Sequence, residues 1–384
     1  MKAIVLRRPG DRDALSLETV PDPTPGPRDV VIRIEACGVC FHDIVVRNGT
    51  LKAGVQLPCI PGHEISGRVV EVGADVRTFK PGDRVATVQR DHICGCCRLC
   101  RTGLEPLCPE SRLLGDWGLS GGYAEYVAVE HDNVAHVPDA VPLSAAAIVA
   151  CTIGTILNAI REVGHLQPGE SALVTGAGGG LGMHAIQLAR LAGAHVVAVT
   201  SSPGKAAAIR AQGAHAVIAA DRGSDFSAAV KAATDGQGVD VVIDNVGSPT
   251  YDAVRRSIAI GGRWLLIGQL TGQFVSLNPA QLIYRKISLL AARGTTRKQL
   301  EDCLALVARG QVKPIVDQTL PLDQAAVAHR LVETGPGPGP RAAHAVADQR
   351  VLAPPMTPHA DATKRWPSAP ARGHNATGTG SRRG

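Results

Sequence analysis

"ALVTGAGGGLGMHAIQLARLAGAHVVAVT", residues 172–200, decides the fold. An apolar run ends at Thr175, glycines crowd residues 176–182, an amphipathic stretch follows, and "HVVAVT" closes the segment. That order predicts a strand, a tight turn, a helix and a second strand. Glycines in such a turn let the backbone approach a pyrophosphate at the positive end of the helix. The spacing is G-x-x-G-x-x-G through Gly176, Gly179 and Gly182, because Leu181 stands where a G-x-G-x-x-G pattern needs its third glycine. Gly180 and Leu181 complete the turn.

Outward from this segment the pattern continues. A helix is expected through "KAAAIRAQGA". The runs "AVIAA", "VDVVIDNVG", "RWLLIG" and "ISLLAARG" then recur at helix-separated intervals. Alternating strand and helix predicts an α/β class with a doubly wound parallel sheet. The residues after the second strand, Thr200-Ser201-Ser202-Pro203-Gly204-Lys205, hold no acid. A carboxylate at that point usually binds the ribose hydroxyls of NAD. Ser201, Ser202 and Lys205 instead suit a 2′-phosphate, so NADP(H) is expected rather than NAD(H).

Residues 1 to about 150 have a different texture. "DVVIRIEACGVC", "SGRVVEVG" and "GGYAEYVAVE" read as short strands divided by Pro-Gly turns. Residues 297–334 add helices, the first through "RKQLEDCLALVARG". From Gly335 on, eight prolines and seven glycines fall among fifty residues. Such a tail cannot offset its ordering entropy by burial and is expected to be disordered.

Composition sets limits. Of 384 residues 45% are hydrophobic, enough for a core, but only 3% are aromatic, so Ala, Val, Leu and Ile must build it. The net charge of +6 is carried almost wholly by residues 335–384, which hold seven basic and two acidic residues. The nearly neutral body offers no electrostatic case for nucleic acid. No apolar run reaches the roughly 18 residues of a membrane span, and the N-terminus lacks the apolar stretch of a signal peptide. A cytoplasmic protein is expected.

In a reducing compartment clustered cysteines point to metal or catalysis. "CGCCRLCRTGLEPLC", residues 94–108, carries Cys94, Cys97, Cys100 and Cys108 in the order C-x2-C-x2-C-x7-C. Four thiolates close a tetrahedral zinc, so this lobe is expected to be structural. Cys96 is the spare, and Cys37, Cys59 and Cys303 are read as small buried hydrophobes. A second set is scattered. "ACGVCFHDI", "PGHEISG" and "ACTIGTILNA" offer Cys40, His63 and Cys151, with Glu64 beside His63. Two thiolates and an imidazole form an open zinc set whose fourth position is free for water, Glu64 or substrate. Asp43 is placed to orient His63.

With these motifs in place the sequence resembles the zinc-dependent medium-chain alcohol dehydrogenases. "CGVC-x-x-D", "PGHE-x-x-G", the four-cysteine lobe, "GGYAEYV" and the glycine turn carry the resemblance, over about residues 1–334. It implies a Rossmann sheet inserted in a partly open β-barrel, a GroES-like catalytic domain. The expected boundaries are 1–153 for that domain, 154–296 for the Rossmann domain, 297–334 for the return, and 335–384 for the tail. It implies two zinc ions, a catalytic one on Cys40, His63 and Cys151 with Glu64, and a structural one on Cys94, Cys97, Cys100 and Cys108. The cofactor-contacting set comprises Thr155, Gly176, Gly179, Gly180, Leu181, Gly182, Ser201, Ser202 and Lys205. The implied reaction is reversible hydride transfer between an alcohol and NADP, in a homodimer or homotetramer paired near "ISLLAARG". An NADPH-dependent enoyl reductase of the same superfamily is the alternative.

The sequence also departs from the family pattern. His42 replaces the usual hydroxyl residue of the proton relay, and Val45 replaces the relay histidine. His42 is therefore expected to take the proton, with Asp43 and Glu64 beside it in the catalytic set. The closing strand that members usually carry after the last helix is not recognisable; a change of reading frame in the gene would produce such a tail, and with it the catalytic domain would lose an edge strand.

Overall fold

The computed structural model describes residues 1–334 and 345–348. Its parallel sheet has six strands in the order Ala216–Ala219, His195–Thr200, Ser171–Val174, Val239–Asp244, Ile258–Leu266, Ser288–Ala291. Every neighbouring pair is parallel. The first strand in sequence lies beside the fourth, so the connections run off in opposite directions from that pair. A crevice opens at their carboxyl ends, the place where this topology receives ligands.

Strand alternation builds two cores. Ala172, Val174, Val196, Ala198, Val241 and Ile243 face one side, and Leu173, Val197, Val199, Val239, Val242 and Trp264 the other. Both faces are covered, which explains why these strands are continuously apolar. One polar anchor crosses the second core. Trp264 Nε1 donates to Asp244 Oδ2 at 2.9 Å, and Thr175 Oγ1 donates to Asp244 Oδ1 at 2.7 Å. The same Oδ1 accepts from the backbone N–H groups of Val246 and Gly247, both at 3.1 Å. A buried carboxylate thus shapes the turn at one lip of the crevice.

The other sheet is built around Asp29–Gly38. That strand pairs antiparallel with Glu64–Val72 along its length. Its opposite edge is shared, Tyr126–Glu130 taking residues 29–33 and Ala345–Asp348 taking residues 36–38. Arg84–Thr87 and Val134–His136 extend the sheet beyond Glu64–Val72. Gln318–Pro321 closes it, parallel to Ala345–Asp348. Together the two sheets form a Rossmann domain inserted in a GroES-like one.

The strand Ala345–Asp348 corrects the expectation of a tail without order and a missing edge strand. Its four residues have little intrinsic strand preference, and the backbone groups left open along Ala36–Gly38 supply the reason for their conformation. Residues 335–344 and 349–384 of the expected tail lie outside the described residues.

The passage between domains starts with the helix Leu143–Ala147 and runs through two π-helical segments, Val149–Gly154 and Asn158–Val163. Among the described residues no helix is long and apolar enough to cross a membrane.

Candidate active site

Cys40 caps the helix Phe41–Arg47, and Asp43 in its first turn reaches back to accept the Cys40 N–H at 2.9 Å. This is half of a capping box, and it explains the C-x-x-D spacing locally. His63 and Glu64 enter the strand Glu64–Val72 from a loop docked on residues 121–123. Gly122 N–H donates to Gly62 O at 2.8 Å and Tyr123 N–H to Pro61 O at 2.9 Å. Cys151 sits in the first π-helical segment, a kind of irregularity that often marks functional sites.

These elements bring one ligand atom each from Cys40, His63, Glu64 and Cys151 within 4.8 Å of one another. Cys40 Sγ and Cys151 Sγ are 4.0 Å apart, and His63 Nε2 lies 4.0 Å from Glu64 Oε1. Sulfurs sharing a tetrahedral zinc stand about 3.8 Å apart, from Zn–S bonds of about 2.3 Å. The donor set therefore fits zinc. Glu64 adds a further argument. It is fully buried, yet neither carboxyl oxygen has a hydrogen-bond partner. Burial, then the Cys40 thiolate, push its pKa well above the usual carboxylate range. A buried acid left so is short of a cation. The hydrogen bond between Cys40 and Cys151 lowers the pKa of Cys40 and raises that of Cys151.

Room for Glu64 comes from Gly38. A Cβ there would stand 2.0 Å from Glu64 Oε2 and 2.9 Å from both Glu64 Cβ and Ile148 Cγ2.

The four-cysteine lobe closes around a second point. The ligand atoms of Cys94, Cys97, Cys100 and Cys108 also lie within 4.8 Å of one another. Cys94 Sγ is 3.6 Å from Cys108 Sγ and 3.9 Å from Cys100 Sγ. Backbone N–H groups donate into the sulfurs, Cys97 N to Cys94 Sγ at 3.3 Å and Cys100 N to Cys97 Sγ at 3.4 Å. The N–H groups of Cys97 and Cys96 hold the Cys94 thiol down to about 6. Cys96 is exposed, while Cys37, Cys59 and Cys303 are buried.

On the Rossmann side the glycine turn leads into the helix Gly180–Leu191. Gly182 must be glycine, since a Cβ would stand 2.3 Å from Gly176 O and 2.6 Å from Ala177 Cα. Leu181 turns its side chain to the core, leaving only its backbone to the turn. Lys205 Nζ donates to Gly178 O at 2.9 Å, and burial lowers its pKa. Ser201 and Ser202 are exposed beside it. Thr155 is engaged elsewhere, its hydroxyl accepting from Gln89 Nε2 at 3.1 Å.

Residues 26–139 match the family model of the alcohol dehydrogenase GroES-like domain, and residues 180–309 that of zinc-binding dehydrogenases. An acryloyl-coenzyme A reductase of Sulfurisphaera tokodaii is 34% identical over 87% of this chain and 96% of its own length. The chain belongs to the medium-chain dehydrogenase/reductase superfamily. An alcohol dehydrogenase of Rhizobium meliloti is also 34% identical, over 81% of this chain and 89% of its own. The crystal structure of AibC superposes with a TM-score of 0.84 at 42% identity, covering 91% of this chain and 96% of that one.

Several residues around the open site carry no sequence motif. His42 Nε2 lies 2.8 and 3.0 Å from the two carboxyl oxygens of Asp116, which is 74 positions away. Gln89 Nε2 and Thr295 Oγ1 both donate to Ala150 O, at 3.2 and 2.6 Å, and so fix the backbone beside Cys151. Tyr123, His329 and Arg47 continue the polar contacts behind Asp43. Of these only Tyr123 lay in a quoted motif. The others are single polar residues with no local pattern to betray them.

Proposed function

We propose that this chain is a zinc-dependent NADP(H) oxidoreductase acting on a primary or secondary alcohol and the corresponding aldehyde or ketone. The observation that carries the reading is the convergence of Cys40, His63, Cys151 and the unpartnered Glu64 on one buried point. Zinc held there supplies a Lewis acid for the substrate oxygen, while bound NADP supplies the hydride acceptor.

The residues divide the remaining work. Cys40, His63 and Cys151 hold the metal, with Glu64 beside them. Asp43 fixes the imidazole by accepting its Nδ1–H at 3.2 Å. The turn at residues 176–182 receives the pyrophosphate at the N-terminus of its helix. Ser201, Ser202 and Lys205 receive the 2′-phosphate. Thr155 belongs at the cofactor's edge, its hydroxyl accepting from Gln89 Nε2 and keeping its O–H to donate. His42 takes the proton released by the alcohol. Its Nε2–H is held by Asp116, which leaves Nδ1 as the accepting atom. The exposed outer strand Ser288–Ala291 supports pairing into a homodimer or homotetramer.

A second reading is reduction of an enoyl-CoA double bond by NADPH. The similarity to an acryloyl-coenzyme A reductase favours it, as does Val45 in place of a relay histidine. One experiment separates the two. Alcohols, aldehydes and enoyl-CoA thioesters are assayed with NAD and NADP, and zinc is quantified on the same preparation. The first reading expects zinc-dependent alcohol oxidation with NADP, lost in His42→Ala although zinc is retained. Turnover of enoyl-CoA alone, indifferent to removal of the open-site metal, would replace it with the second.

A further inference from the structure

Behind the open site a single file of buried polar groups leads away from the metal ligands. His63 Nδ1 donates to Asp43 Oδ1 at 3.2 Å, and Tyr123 O–H donates to Asp43 Oδ2 at 3.1 Å. The Tyr123 oxygen lies 3.2 Å from His329 Nε2, and His329 Nδ1 lies 3.2 Å from Arg47 Nη1. Arg47 then pairs with Glu333, which also holds Arg12 at 2.6 Å. Asp43, Arg47, Tyr123 and His329 are all at most 2% exposed.

The two ends of this file fix everything between them. A guanidinium can only donate and a carboxylate can only accept. Arg47 must donate to His329 Nδ1, so His329 carries its proton on Nε2 and gives that hydrogen bond to the Tyr123 oxygen. Tyr123 in turn points its hydroxyl hydrogen at Asp43. Asp43 Oδ1 is then left for His63 Nδ1–H, and His63 keeps the Nε2 lone pair on the side of Cys40, Cys151 and Glu64. A neutral His329 is required, and burial, with the Arg47 charge adding to it, lowers its pKa to about 4. The arrangement is a clamp and not a proton conduit, because the guanidinium at its end does not give up a proton.

We propose that Arg47, His329 and Tyr123 are positioning residues that hold Asp43, and through it the ligating tautomer of His63, so that the last helix, Ala325–Thr334, takes part in metal retention at the open site. This rests on the reading that Cys40, His63 and Cys151 bind zinc.

The test uses the full chain loaded with zinc and follows release of the metal to a chromogenic chelator. The four-cysteine lobe serves as internal reference, its phase identified as the one missing in Cys97→Ala. Tyr123→Phe removes one oxygen, and His329→Leu removes the donor to it. Each is expected to speed release from the open site about tenfold, the scale of losing an outer partner of a metal ligand. The lobe's phase stays unchanged. His329→Gln, whose amide both donates and accepts, is expected to restore slow release. Should His329→Leu fail to fold, Tyr123→Phe decides. Equal acceleration of both phases marks ordinary destabilisation and overturns the proposal, as does no acceleration in the variants when the wild type holds two zinc ions. A wild type that holds only the lobe's zinc overturns the metal reading itself, and this inference with it.

Discussion

Replacing Trp264 by phenylalanine strikes the polar anchor beneath the cofactor crevice. The indole is 1% exposed, and its Nε1–H is one of four donors to the Asp244 carboxylate, which is itself 0% exposed. Two effects add. Hydrogen bonds to a buried charge are worth about 1.5–3 kcal/mol, and here Oδ2 is left with no other recorded partner. The smaller ring also leaves a void of more than methyl size against Tyr251, whose ring centroid stands 5.1 Å away, adding about 1 kcal/mol. The sum is about 2.5–4 kcal/mol, a large share of a typical domain's stability. Urea unfolding followed by far-ultraviolet circular dichroism measures it. Because Asp244 also sets the turn at Val246 and Gly247, the KM for cofactor should rise while zinc content stays constant. A stability loss below about 1 kcal/mol would refute the argument, because a Phe at this site cannot replace the donor.

Three further outcomes are expected. Asp43→Asn replaces one acceptor oxygen by a donor that faces the three existing donors, so zinc affinity at the open site should fall about 10–100-fold in chelator competition, with the lobe untouched. Cys97→Ala should lose the lobe's zinc and lower the thermal midpoint while the other zinc remains, as read by metal analysis and calorimetry. Lys205→Ala should raise the KM for NADP about tenfold and that for NAD much less in steady-state kinetics, since the ammonium, which also holds Gly178 O, would meet the cofactor only at a 2′-phosphate.

The parts of this molecule that were legible in its sequence are those whose cause is local. Residues 172–200 place strand, turn and helix within one short segment, and the lobe packs its four ligands into fifteen positions. The open site is different. Cys40 and Cys151 are 111 positions apart, and only their motifs, not their spacing, joined them. Asp116, Arg47 and His329 carry no motif, and their roles arise when distant elements pack together. The strand Ala345–Asp348 was illegible for a related reason. Its conformation comes from the open edge at Ala36–Gly38 rather than from its own residues.

The contact between Gly38 and Glu64 bears on how this sequence can drift. Any side chain at position 38 claims the volume that the carboxyl group of residue 64 now fills. An alanine arriving first meets a collision, and shortening residue 64 beforehand removes the worst of it, leaving the 2.9 Å contacts with the Cβ of residue 64 and with Ile148 Cγ2 to be relieved by small shifts. Change at the two positions is therefore coupled, and a homologue bearing a larger residue at the first is expected to carry a shorter or displaced side chain at the second.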